Sequence, residues 1–455
     1  MILSWKETRS GIVKPDQRLP WGQTIAMGFQ HVLAMFGATV VAPILMGFDP
    51  NLAILFSGIG TLIFFAIVGG AVPSYLGSSF AFIGPVAAVT GTAAASGADN
   101  GIGLALGGIV AAGVAYTLIG LVVHLMGGGW IDNLMPPLVT GAVVAVIGLN
   151  LAPAARNLSA VDPVVAAITI LAIFVIGLLT TGVFSRLPIL IGSVIGYLAA
   201  FLLGGTSPDG RQYLGVTVHG VDLAPIGVAS WFGMPAFQAP EFNRSAIALI
   251  APVAIVLVAE NTGHVKAVSA LTGRNLTPYL GRAFIGDGVA TIVAGLRGGT
   301  GVTTYAENIG VMAVTRVFST LVFLIAAIIA IIFGLSPKFG AIIGSIPQGV
   351  LGGVTTVLFG LIAVTGARIW VDNRVDFTRT VNLFVAAVTL IIGAADYTVT
   401  LGGFTLNGIT LGTFGAIVLY QIFKGVSDTD DFAIVGDSAE AKAEIRAEGS
   451  RRTRR

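Results

Sequence analysis

The 455-residue sequence contains no cysteine. Disulfides and thiolate metal sites are therefore excluded, while the redox compartment is left open. Charge is almost as scarce. Asp, Glu, Lys and Arg make up 10% of the chain, against about 25% in a soluble domain. The net charge of +2 is too small to hold a nucleic acid, so no such partner is expected. What fills the chain is apolar: 55% of residues are hydrophobic and the mean hydropathy is +0.92. Water cannot solvate that much apolar surface, which makes the lipid bilayer the expected solvent. The 62 glycines fit helices whose backbones approach closely inside a bilayer. The fold class implied is an all-α polytopic membrane protein.

A membrane-crossing helix needs about 20 mostly apolar residues. Such runs lie near 23–46, 51–70, 71–90, 102–126, 132–152, 163–181, 187–205, 245–263, 281–297, 299–313, 314–334, 345–366, 379–395 and 402–423. They predict about fourteen spans. Lys6, Arg9, Lys14 and Arg18 precede the first run. The short apolar core and cleavage site of a signal peptide are missing there, so the first span is expected to be retained. With the N-terminus in the cytoplasm, alternating spans put Arg156, Arg211, Arg244, Arg297 and Lys338 outside. The rest of the 24 Lys and Arg residues fall inside, among them Lys266, Arg274, Arg282, Arg368, Arg374, Arg379 and the tail residues Arg451, Arg452, Arg454 and Arg455. This is the positive-inside bias, and it predicts a multi-pass protein of the cell (inner) membrane with both termini cytoplasmic. One long polar stretch, 206–243, contains Ser207, Pro208, Asp209, Gly210 and Arg211. Seven expected spans flank it on each side. An odd number per half turns the second half over, which predicts two inverted seven-span repeats. From Ser427 the chain becomes charged and rich in small residues.

Two segments interrupt the apolar pattern. Gly77-Ser78-Ser79-Phe80-Ala81-Phe82-Ile83-Gly84-Pro85 and Gly299-Thr300-Gly301-Val302-Thr303-Thr304-Tyr305-Ala306-Glu307 are rich in glycine and hydroxyls. Each falls in the third expected span of its half. Ordinary Gly-rich loops look similar, but a matched pair of broken spans is the sequence pattern of a transporter binding site, where unwound backbone borders a cavity. Ionisable groups fall in the same regions. His31, Glu260, His264 and Glu307 lie in or at the ends of apolar runs. A charge at bilayer depth costs about 2.5–3.5 kcal/mol on insertion scales, so such groups usually face a cavity. Glu260 and His264 are one helical turn apart and share a face. A structural ion pair or a satisfied core histidine would give the same pattern. A metal site is disfavoured, since no further acidic cluster accompanies Glu260 and His264. No cofactor is expected.

At these residues the sequence resembles the nucleobase–ascorbate transporter family, in its bacterial uracil/pyrimidine permease branch. The most specific match is Glu307-Asn308-Ile309-Gly310-Val311-Met312-Ala313-Val314-Thr315-Arg316. There an acid or amide precedes Asn-x-Gly and a Thr follows five residues after the Gly. The uracil branch begins this signature with Glu, as here, and purine-transporting members more often with Gln. Supporting motifs are Gln30-His31 through Gly37-Ala38-Thr39, Tyr75-Leu76-Gly77-Ser78-Ser79-Phe80-Ala81-Phe82, and Ala259-Glu260-Asn261-Thr262-Gly263-His264. The resemblance runs from Gln30 to about Lys424.

The resemblance implies fourteen spans in two inverted repeats, with short strands in spans 3 and 10. It further implies a cytoplasmic N-terminus (1–22), a core domain (23–126 and 245–334), a gate domain (132–205 and 345–424), a linker on the far side (206–244) and a cytoplasmic tail (425–455). The implied substrate is uracil or a related pyrimidine, carried with protons, in a homodimer built through the gate domains. By the same resemblance Glu260 and Glu307 accept hydrogen bonds from ring N–H groups, and the backbone N–H groups of Phe80 and Ala306 serve the base carbonyls. His264 assists, while His31 and Asn308, with Glu307, organise the site or relay protons. The branch commonly has Gly where Ala306 stands, and Asn261-Thr262 departs from the usual uracil permease pattern toward permeases of pyrimidine degradation. The alternatives are a purine or xanthine permease, a facilitator without proton coupling, an anion carrier of the same fold, a channel and an intramembrane enzyme. Two acids in the site disfavour an anion.

Overall fold

The computed structural model describes residues 4–426 except 10, 96–100, 183, 207, 208, 214, 402 and 403. The tail from Ser427, with its five arginines, and Ser207 and Pro208 of the polar stretch lie outside the described residues. The helices are α1 (Trp21–Met46), α2 (Pro50–Val68), α3 (Ile83–Ala95), α4 (Ile102–Met126), α5 (Gly129–Leu134), α6 (Pro137–Asn150), α7 (Ala152–Val161), α8 (Pro163–Leu179), α9 (Pro188–Gly204) and α10 (Ala224–Val228). They continue with α11 (Arg244–Ile250), α12 (Val253–Thr272), α13 (Leu280–Gly295), α14 (Ala306–Thr315), α15 (Thr320–Gly334), α16 (Pro337–Gly344), α17 (Gln348–Asp372), α18 (Thr380–Ala394) and α19 (Gly408–Phe423). Short strands are β1 (Lys6–Glu7), β2 (Gln17–Arg18), β3 (Leu76–Ser78), β4 (Arg211–Tyr213), β5 (Val216–Val218), β6 (Val302–Thr304), β7 (Val399–Leu401) and β8 (Phe404–Leu406). Among the described residues, six helical stretches are long and apolar enough to cross a membrane, including Pro137–Val161 and Arg244–Thr272, each built from two consecutive helices.

The chain is mostly helical, as expected of an all-α membrane transporter. Among the described residues it also has four two-stranded sheets, paired β1–β2, β3–β6, β4–β5 and β7–β8. The last hairpin occupies the start of the run expected over 402–423, so α19 begins only at Gly408, where Asn407 caps it by accepting from the Thr410 N–H at 3.1 Å. The runs at 71–90 and 299–313 are interrupted, as expected. Each is a strand of three residues followed by a helix. Gly-rich, β-branched sequence disfavours helix there, and the two strands satisfy each other's backbone instead.

Helix contacts fall into two sets. In one, α13 packs on α4 and α2, α15 on α2 and α1, and α11 and α12 on α4. In the other, α17 packs on α6, α7, α8 and α9, while α18 and α19 pack on each other and on α6. Contacts of α12 with α6 and α19, and of α1 with α9 and α17, join the sets. The strand pair β3–β6 belongs to the first set and lies against this junction.

Candidate functional site

The strands β3 and β6 run antiparallel, with Leu76 opposite Thr304, Gly77 opposite Thr303 and Ser78 opposite Val302. The ladder continues at both ends through Ser79 N–H to Gly301 O (2.9 Å) and Tyr305 N–H to Tyr75 O (3.0 Å). The outer edges need partners as well, because nothing at bilayer depth can substitute for them. Thr61 of α2 accepts from the Leu76 N–H at 2.9 Å, and Thr291 of α13 accepts from the Val302 N–H at 3.1 Å. Each strand also makes room for an aromatic ring of the other. A Cβ on Gly77 would sit inside the Tyr305 ring, and a Cβ on Gly301 inside the Phe82 ring. The Tyr305 hydroxyl donates to Ser78 O (2.9 Å) and accepts from the Thr39 hydroxyl (3.2 Å).

Both strands hand over to helix N-termini beside one cavity. Its lining includes Phe80, Glu260, His264, Thr303, Thr304, Tyr305, Ala306 and Glu307, with Val144, Ile147, Ile362 and Thr365 opposite; its empty volume is about 450 Å³. Ala306 is the first residue of α14 and Glu307 lies in its first turn. The leading N–H groups of a helix have no intrahelical partner, and the positive end of the dipole favours an acid there. Ser79 caps the turn at Phe80–Phe82, accepting from the Ala81 N–H at 3.3 Å. Its hydroxyl also donates to Glu260 Oε2 at 3.4 Å, tying the first strand to α12. One turn along α12, His264 Nδ1 lies 2.9 Å from the Thr304 hydroxyl.

Of the expected site residues, Phe80, Glu260, His264, Ala306 and Glu307 meet on this cavity. His31 and Asn308 do not line it. His31 is fully buried in α1 against Phe323, with ring centroids 4.6 Å apart. The Asn308 Nδ2 group donates to His31 O (3.1 Å) and lies 3.0 Å from His31 Nδ1, pinning α14 to α1 directly behind Glu307. A second cavity, with about 920 Å³ of empty space, runs from Glu260 and His264 past Gly263, Ala267, Gly310 and Ala313 to Arg368 and Asp372. These last two are exposed and form an ion pair at 3.3 Å near the end of α17. Asp287 is a buried acid behind the site that had no place in the sequence expectations. The signal was available: an acid in the middle of an apolar run, at Gly286-Asp287-Gly288.

The Permease family model matches residues 22–402. The chain belongs to the nucleobase–ascorbate transporter family. It is thus an integral membrane transporter and not an enzyme. RutG of Escherichia coli (strain K12), named provisionally as a pyrimidine permease, is 57% identical over 420 residues, covering 92% of this chain and 93% of RutG. The uracil permease of Paenibacillus larvae is 40% identical over 430 residues, covering 91% of this chain and 97% of its own. The uracil permease of Escherichia coli (strain K12) is 39% identical over 439 residues, covering 94% and 97%. Among solved structures, the transmembrane domain of the cyanobacterial bicarbonate transporter BicA superposes with a TM-score of 0.61 at 18% identity, covering 87% of this chain and 96% of that one. Murine Slc26a9, an anion transporter captured inward-facing, gives 0.64 at 11% identity, covering 88% and 68%. Identities this low speak for a shared fold alone.

Proposed function

We propose that the chain imports uracil, or a closely related pyrimidine, by proton symport. The observation that carries this reading is the convergence of two carboxylates and two helix N-termini on one cavity. Uracil is a planar, neutral ring whose N–H donors and C=O acceptors alternate. Glu260 and Glu307 accept from its N–H groups, and the N–H groups of Phe80 and Ala306 serve its carbonyls. Charge-assisted bonds of this kind are roughly twice as strong as neutral ones. An analogue lacking one N–H leaves a carboxylate unpaired and is rejected. The apolar wall of Val144, Ile147 and Ile362 takes the C–H edge of the ring. The names of the relatives support a pyrimidine.

The position of the cavity at the junction of the two packing sets supports one transport cycle. The first packing set acts as a core carrying the site, and the second as a gate past which the core moves in an elevator. In this reading the chain makes fourteen crossings in two inverted repeats, with the reciprocal strands as the third crossing of each. Both termini lie in the cytoplasm of the cell membrane, the passage toward Arg368 and Asp372 is the inner mouth, and two copies pair through their gates. Proton movement accompanies substrate movement, because an uncompensated carboxylate is too costly to move through a closed, dry state. His31 and Asn308 hold α14 in place for that exchange. The test is uptake of radiolabelled uracil challenged with thymine, cytosine, xanthine and uric acid. Competition by pyrimidines alone supports the reading. Stronger competition by xanthine than by any pyrimidine would assign the purine permease alternative.

A further inference from the structure

Behind His264 a row of side chains leads from Thr304 on the cavity wall to groups that the binding site does not use. His264 Nδ1 lies 2.9 Å from Thr304 Oγ1, and the Thr304 hydroxyl donates to Asn261 Oδ1 over 3.5 Å. Asn261 Nδ2 donates to Asp287 Oδ2 at 2.6 Å and to the Tyr116 hydroxyl at 3.1 Å, and that hydroxyl donates to Leu257 O at 3.2 Å. Asn261, Thr304 and Asp287 are each at most 1% exposed. Asp287 Oδ1 is a buried atom with no hydrogen-bond partner among the described residues.

The geometry points to Asp287 as a positioning residue that sets which nitrogen of His264 carries the proton. A carboxylate only accepts, so an ionised Asp287 takes the Asn261 amide N–H and turns the Asn261 oxygen toward Thr304. Thr304 then spends its one O–H on that oxygen and can only accept from His264. His264 therefore holds its proton on Nδ1 and presents a bare Nε2, an acceptor, on its other edge. The partner of one ring nitrogen decides the state of the other. Protonating Asp287 makes it a donor and allows the row to reverse: Asn261 turns over, Thr304 donates to Nδ1, and Nε2 becomes the N–H. Other ionisable groups facing Asp287 are Tyr116 from α4 and Glu260 from α12, while α2 and β6 contain no ionisable side chain. If the cavity is the substrate site proposed above, the row lets a proton stored outside it change what His264 offers the substrate.

The experiment is nitrogen NMR of the full chain with ¹⁵N-labelled histidine, purified without substrate. Only four histidines are present, and a His264→Gln variant assigns the resonance. The wild type should show the unprotonated nitrogen at Nε2. Thr304→Val keeps the β-branched shape and the strand ladder but cuts the row, and Asp287→Asn, able to donate or accept, lets both directions coexist. Both variants should gain the Nε2–H form. Thr304→Val should also bind uracil about fivefold to tenfold more weakly, the scale of one hydrogen bond. A wild type already in the Nε2–H form overturns the proposal, as do variants that both keep pure Nδ1–H. Thr304→Val carries the test alone should Asp287→Asn fail to fold. Because the spectrum needs no transport, a failure of the pyrimidine reading leaves this result standing, and the reverse.

Discussion

The two broken crossings are built alike and equipped differently. Each has a three-residue strand, a threonine from a neighbouring helix on its outer edge, a glycine under the other's aromatic ring, and a helix beginning at the cavity. The first carries no ionisable residue between Leu76 and Ala95. It offers backbone and the Ser79 hydroxyl that steadies Glu260. The second places Glu307 in the first turn of α14 and locks Asn308 onto α1. On the proposed reading, one arm is largely scaffold and the other carries recognition. A symmetric framework would then supply two dipole ends, and an asymmetric choice of side chains would fit them to an asymmetric molecule.

The comparison predicts a graded set of losses. The largest should come from the carboxylates. Glu307→Gln and Glu260→Ala should each weaken uracil binding by about ten- to a hundredfold, the range for a hydrogen bond to a charged group, and His264→Ala should cost less. Isothermal titration of purified protein measures all three, and equal losses at Glu260 and His264 would break the ranking. Next come the reciprocal glycines. Gly77→Ala and Gly301→Ala should each lower stability by about 1–3 kcal/mol through overpacking, with similar shifts in thermal unfolding, because each forces a ring out of the other strand. A strongly unequal pair would show that the framework is less symmetric than its hydrogen bonds.

An effect of similar size separates the arms further. Asn308→Ala leaves buried polar groups of His31 without their partner and should cost about 1–3 kcal/mol of stability, read by thermal unfolding, without lining the cavity itself. Smallest is Ser79→Ala. It removes one long contact to Glu260 and should change affinity by no more than about fivefold, measured by competition binding. A loss at Ser79 as large as that at Glu307 would make the first arm a recognition element too.

Much of this was legible in residue order. Glu260 and His264 share a face because four residues make about one turn, and the two Gly- and hydroxyl-rich interruptions stood out against apolar neighbours. The signature beginning at Glu307 identified the family. Three features were not legible. Nothing local says that Gly77 lies under Tyr305, since the two strands are far apart in sequence. The place of His31 behind Asn308, rather than in the cavity, depends on how α1 and α14 cross. Asp287 stood out as an acid in an apolar run, but its hydrogen bond to Asn261 depends on how α13 is turned, which is a fact of helix rotation and packing. The run read as one span at 132–152 also hid its continuation: α6 gives way at Leu151 to α7, which extends to Val161.

The central claim is that two acids in one cavity bind a neutral base and couple its movement to a proton. Purified protein in sealed vesicles tests it most directly. With no pH difference and no membrane potential, labelled uracil should only equilibrate. With the outside made more acidic, uracil should accumulate above its external concentration, and a protonophore should collapse the excess. Glu307→Gln should show neither. Equal final levels with and without the proton gradient would contradict the account and leave a facilitator.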